Sequence, residues 1–181
     1  MDIVQHITAH TERLRLGIPY ASAKQLRDLK IAGLKFFFLL PDFVRIVQQY
    51  IPIAVKQEEL IEDIVNGRLQ QYQQAIERSN KEVDVYADDY EELEQLELFV
   101  LNAFEYATSA DEANAVIGLL LEIIDTLDYY ENFSDNPLYW NKLLEEELVF
   151  QNELLKQLKA NKDLQTDSYR IRYQDVPLDS C

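Results

Sequence analysis

Ala113-Asn114-Ala115-Val116-Ile117-Gly118-Leu119-Leu120-Leu121-Glu122-Ile123-Ile124-Asp125-Thr126-Leu127 is the segment that sets the fold class. Ala113, Val116, Ile117, Leu120, Leu121, Ile124 and Leu127 recur at steps of three and four, the spacing that lines one face of an α-helix. Ser109 or Ala110 is the expected cap.

The same period continues on both sides. Upstream, residues 90–107 carry Leu93, Leu96, Val100, Leu101 and Phe104. Downstream, Asn136 followed by Pro137 reads as an N-cap and first helical position. That start leads into a helix to about 160 bearing Trp140, Leu143, Leu144, Leu148, Leu155 and Leu158. Nearer the start of the chain, residues 2–16 place Ile3, Ile7 and Leu14 on one side before Gly17 and Pro19. A second helix follows Ser22, with Leu26, Leu29, Gly33, Phe36, Phe37 and Leu40 in phase until Pro41. Phe36, Phe37 and Phe38 are expected in the core, with Lys24, Arg27, Lys30 and Lys35 along its solvent edge. A short third helix holds Phe43, Val44, Ile46, Val47 and Tyr50 and stops at Pro52. The fourth, 55–78, aligns Ile61, Ile64, Val65, Leu69, Tyr72 and Ile76, with Gly67 as an interruption costing about 1 kcal/mol relative to Ala.

Only 4 glycines and 5 prolines punctuate 181 residues of which 48% are apolar, too few breakers for a sandwich, a barrel or a nucleotide-binding α/β fold. The expectation is an all-α chain: one compact bundle of about seven helices over residues 1–160. In the tail, 161–181, Tyr169, Ile171 and Tyr173 alternate with Arg170 and Arg172, a period of two. One such segment cannot build a sheet, so the tail is expected to be irregular, extended in a groove or disordered.

Net charge is −16 and unevenly spread. Residues 1–56 hold 8 Lys+Arg against 4 Asp+Glu, whereas residues 57–160 hold 6 against 25. Such a field repels nucleic acid and anionic membranes and attracts basic proteins. The most apolar run, around Phe36 to Pro41, is too short to span a bilayer. No basic and apolar leader follows Met1, and the one cysteine, Cys181, excludes an intrachain disulfide, so a cytoplasmic location is expected.

Catalytic chemistry finds little support. His6 and His10 share a helical face, but Ile-Thr-Ala lies between them and no Glu-x-x-His pair exists, so neither zincin nor di-iron chemistry is expected. The four glycines are isolated, which excludes a phosphate-binding loop. No metal, cofactor or catalytic residue is assigned. Two binding surfaces are. The first is the acidic run Asp84, Asp88, Asp89, Glu91 and Glu92, although carboxylates at a helix start also suit its dipole. The second is the aromatic group Tyr129, Tyr130, Phe133, Tyr139 and Trp140, a core junction if buried and a binding hot spot if exposed. Helical phase places Trp140 inward with Leu143, Leu144 and Leu148.

Three fragments carry a family resemblance. Asn136-Pro137-Leu138 leads into Glu147-Leu148-Val149-Phe150-Gln151-Asn152-Glu153-Leu154-Leu155, Leu40-Pro41-Asp42-Phe43 follows the early helix, and Ala103, Ala107, Ala113 and Ala115 stand at close-packing positions between them. In these the chain resembles the YjaG-like family of small bacterial helical proteins of unknown function. Lys35-Phe36-Phe37-Phe38 stands where that family has a Cys-Glu-Arg step. The resemblance implies an all-helical fold and transfers no activity. The leading expectation is therefore a non-enzymatic interaction module, of inhibitor or immunity type, whose acidic surface binds a basic protein. The alternatives are a metal-binding protein or enzyme using carboxylates with His6 and His10, and a homo-oligomeric structural protein.

Overall fold

The structure, a computed structural model, describes residues 3–83 and 92–178, of which 77% are helical and none is in a strand. Nine α-helices are found among the described residues: α1 (Ile3–Gly17), α2 (Ala23–Phe37), α3 (Phe43–Tyr50), α4 (Gln57–Asn66), α5 (Gln70–Glu82), α6 (Gln95–Thr108), α7 (Glu112–Phe133), α8 (Pro137–Lys159) and α9 (Ser168–Tyr173). A 3-10 turn, Ile18–Tyr20, links α1 to α2.

α7 and α8 form a long hairpin at the centre. α2 and α6 pack on α7, α1 packs on α8, α3 and α5 pack on α6, and α9 lies on α2. One apolar core runs from Leu14 through Leu29, Phe36, Phe104, Leu120, Ile124 and Leu144 to Leu178. The helix starts are built from local chemistry. The Ser22 hydroxyl accepts from the Gln25 N–H while the Gln25 side chain accepts from the Ser22 N–H. Asn136 caps α8 through the Tyr139 N–H, with Pro137 in its first turn as its sequence predicts. α7 begins one to two residues later than expected, because Asp111 accepts from the Asn114 N–H and serves as the cap.

Nine helices replace the expected seven for two physical reasons. The single helix read over 55–78 is two, because Gly67 adopts φ 68° and closes α4 with a left-handed cap. Asp63 then staples the reversal, accepting from Arg68 Nε at 2.7 Å, Gln71 Nε2 at 3.0 Å and Tyr72 Oη at 2.7 Å. That break leaves Val65 on the surface, away from the inward stripe on which it was placed. The second correction is the tail. Residues 168–173 form α9, with Tyr169 and Tyr173 wholly buried and Ile171 exposed. Two tyrosines four apart share one face of a short helix, a pattern that five alternating residues mimic.

A third correction concerns Lys30, which is buried, 0% exposed, and not on a solvent edge. Its ammonium donates to the Ser109 carbonyl at 3.1 Å and lies 2.8 Å from the Glu112 carboxylate, tying α2 to the α6–α7 turn. Phe36 and Phe37 are in the core, while Phe38 is half-buried. Among the described residues no helix is long and apolar enough to cross a membrane.

Candidate functional site

α6 and α7 are held close by Gly118. The Tyr106 ring lies so tightly over it that a Cβ there would come within 2.3 Å of the ring. One turn further along, α7 presents Glu122, Asp125 and Asp128 at three-residue steps, each about 4.5 Å along the axis from the last. With Gln95, Phe99 and Asn102 from α6, and Tyr129, Asn132 and Phe133 from α7, they line a groove of about 370 Å³.

The floor of this groove is Glu122, only 7% exposed. The Asn102 amide donates to Glu122 Oε1 at 2.9 Å. Burial pushes the Glu122 carboxyl up to about 7, with the Asn102 hydrogen bond opposing and the charge of Asp125 adding. Asp125 is exposed, yet desolvation on its protein-facing side raises it, helped by Asp128, and burial raises the half-buried Asp128, helped by Glu131. None of the three carboxylates has a cationic partner among the described residues. The sequence explains why: between Lys81 and Lys142 there is no Lys or Arg, in a stretch holding 16 Asp+Glu. The wall beside them is aromatic. Phe133 is 70% exposed, its ring centroid 4.8 Å from that of Tyr129 at 33°, and Tyr129 packs edge-on against Phe99.

The structure divides the aromatic group found in the sequence. Trp140 and Tyr130 are core, stacked at 4.4 Å and 17°, with Trp140 2% exposed. The Tyr130 hydroxyl donates to the Leu178 carbonyl. Tyr129 and Phe133 belong to the groove, and Tyr139 sits half-exposed beside Trp140. Of the acidic run, Glu92 is exposed, whereas Asp84, Asp88, Asp89 and Glu91 lie outside the described residues.

His6 and His10 part company. His6 is exposed, while His10 is buried and its Nε2 lies 2.7 Å from Gln151 Oε1. An amide oxygen only accepts, so Nε2 carries the proton. Burial holds the His10 imidazole below its usual pKa. Among the described residues no three His, Cys, Asp or Glu side chains converge as a metal site.

Sequence reasoning missed a second cluster altogether. Glu147 is wholly buried and accepts from Tyr169 Oη at 2.7 Å, Tyr173 Oη at 2.6 Å and Gln151 Nε2 at 2.9 Å. Gln151 also donates to the Leu120 carbonyl, and Arg172 Nε lies 3.4 Å from Glu147 Oε2 with its guanidinium over the Phe150 ring. Burial pushes the Glu147 carboxyl up, against the pull of Tyr173, Tyr169, Gln151 and Arg172. With no exposed surface it has no route to a substrate, and it ties α9 to α8. The i, i+4 pairs Glu147–Gln151 and Tyr169–Tyr173 were the available signal.

Comparison with protein-family models, with curated proteins and with solved structures finds no match to this chain.

Proposed function

We propose that this chain is a non-enzymatic interaction module of inhibitor or immunity type, whose acidic α6–α7 face binds a basic protein. One observation carries the reading: an aromatic-walled groove gathers three carboxylates, Glu122 buried at its floor, Asp128 half-buried and Asp125 exposed, with no cation beside them among the described residues. Unpaired carboxylates at an interface are an energetic cost that a partner's cation removes, and the surrounding field speeds the encounter. Kinship with the YjaG-like family is part of the proposal too. The residues that carry that likeness have structural tasks in this chain, Asn136 as a cap and Glu147 with Gln151 as the anchor of α9.

The test is capture from the native lysate, comparing wild type with a Glu122→Gln/Asp125→Asn/Asp128→Asn variant. Wild type retains a basic protein at low salt and releases it at high salt, and the variant retains none. Equal retention by both would contradict the reading.

Association between copies of the chain is a second reading, favoured by one feature. Arg13, Lys156 and Lys159 line a groove with Leu16, Gly17, Asn152 and Leu155 towards the C-terminal ends of α1 and α8. Mass in solution at low and high salt separates the two, since self-association through these ends gives oligomers that salt dissolves.

A further inference from the structure

We infer that the α6–α7 groove receives an arginine side chain of the partner, held between the carboxylates of Glu122 and Asp125 and the rings of Tyr129 and Phe133. The inference rests on the reading of this face as an interface for a basic protein and adds what the face recognises. Four features of the groove fit a guanidinium better than an ammonium.

The first is the donor–acceptor inventory. Glu122, 7% exposed at the groove floor, has one carboxylate oxygen held by the Asn102 amide, and Asp125, the next acid along α7, is exposed beside it; neither forms an ion pair among the described residues. Two carboxylates one helical turn apart present acceptors along a line, which suits a planar fork of five N–H groups. A lysine ammonium is a compact point charge and meets such an array less completely.

The second is the wall. Phe133, 70% exposed and tilted against Tyr129, offers a broad ring face at the rim. A guanidinium stacks on such a face while its edge bonds to carboxylates, because it is flat and weakly hydrated. The third is pre-organisation. Asn102 holds Glu122 Oε1 and Asn132 donates to Asp128, so two of the three acids are already oriented. The fourth is the absence of competition. No Lys or Arg occurs between residues 82 and 141, so neither helix lining the groove supplies a cation to fill it.

The test uses the full chain with two synthetic probes, acetyl-Gly-Arg-Gly-amide and acetyl-Gly-Lys-Gly-amide, titrated into the millimolar range. Side-chain amide resonances of Asn102 and Asn132 report occupancy from inside the groove. The arginine probe shifts both and binds about threefold tighter than the lysine probe, the ratio expected from one exposed stacking contact. Phe133→Leu, a change at an exposed ring that leaves the fold intact, brings the ratio close to one. Glu122→Gln weakens both probes about tenfold, as the loss of one charge-assisted contact implies.

Equal binding of the two probes with shifts at both asparagines would overturn arginine selectivity, while leaving the acidic face as a general basic-protein interface. Absence of any shift at Asn102 and Asn132 with either probe would overturn the groove as a receiving site, and the lysate capture would then decide the broader reading alone.

Discussion

Glu147 shows what one residue can do in the middle of a helical bundle. Its carboxylate collects two tyrosine hydroxyls from α9 and an amide from its own helix, so the cost of burying it is offset only while all partners are present. Glu147→Ala strands the Tyr169 and Tyr173 hydroxyls and the Arg172 guanidinium together. We expect a loss of about 3 to 5 kcal/mol in chemical denaturation, with Glu147→Gln losing clearly less because it keeps an acceptor at the same place. Similar losses for both variants would mean that charge, and not hydrogen bonding, anchors α9. Trp140 makes the apolar counterpart. Stacked on Tyr130 and 2% exposed, it should emit blue-shifted fluorescence that iodide quenches poorly. Trp140→Ala should cost about 3 to 5 kcal/mol. Red-shifted, easily quenched emission would contradict the core placement.

Among the elements, the α6–α7 contact places the groove. Gly118 allows the Tyr106 ring to lie against the α7 backbone, so Gly118→Ala forces a ring aside and should cost about 1 to 3 kcal/mol in a thermal melt. Combining it with Tyr106→Ala removes the collision, and the double change should cost less than the sum of the two singles. Strict additivity would show that the contact is looser than the structure has it. How far such elements could be read from the sequence depended on whether the deciding chemistry was local. The start of α8 was legible because Asn136 and Pro137 act on their own first turn. Gly67 was not, since a glycine inside a periodic run serves a straight helix or a left-handed cap equally well. What settles it is Asp63 gathering Arg68, Gln71 and Tyr72 across the reversal. α9 was misread because Tyr169-Arg170-Ile171-Arg172-Tyr173 fits both periods. Glu147 was invisible to apolar periodicity, which scores every carboxylate as surface. The groove lay partly in view: Tyr129 and Phe133 belong to the aromatic group read from the sequence, whereas Glu122, Asp125 and Asp128 sit on a helix whose reading rested on its apolar stripe. The missing lysines and arginines between 82 and 141 were the unused clue.

At the scale of the whole molecule, charge and stability pull against each other. On the proposed reading, a face that gathers carboxylates without counter-ions would trade stability of the isolated protein for recognition. Glu122 makes the conflict measurable. Its folded pKa of about 7 stands above the ordinary 4.5, so its contribution to stability is fully present below about 4.5 and is lost as pH rises through about 7. Asp125 and Asp128, also raised, act in the same direction. The groups acting on Glu122 are Asp125 from its own helix and the Asn102 amide from α6. The most direct measurement is therefore the Tm of the isolated chain and of its Glu122→Gln/Asp125→Asn/Asp128→Asn variant, at pH 8 and at pH 4.5. At pH 8 the variant should melt higher by about 3 to 6 °C, corresponding to about 1 to 2 kcal/mol after solvent screening. At pH 4.5 the gap should narrow, because Glu122 is then neutral in the wild type too. A variant that melts lower at pH 8 would show that these carboxylates stabilise the isolated protein, and that the groove is not held open for a partner's cation.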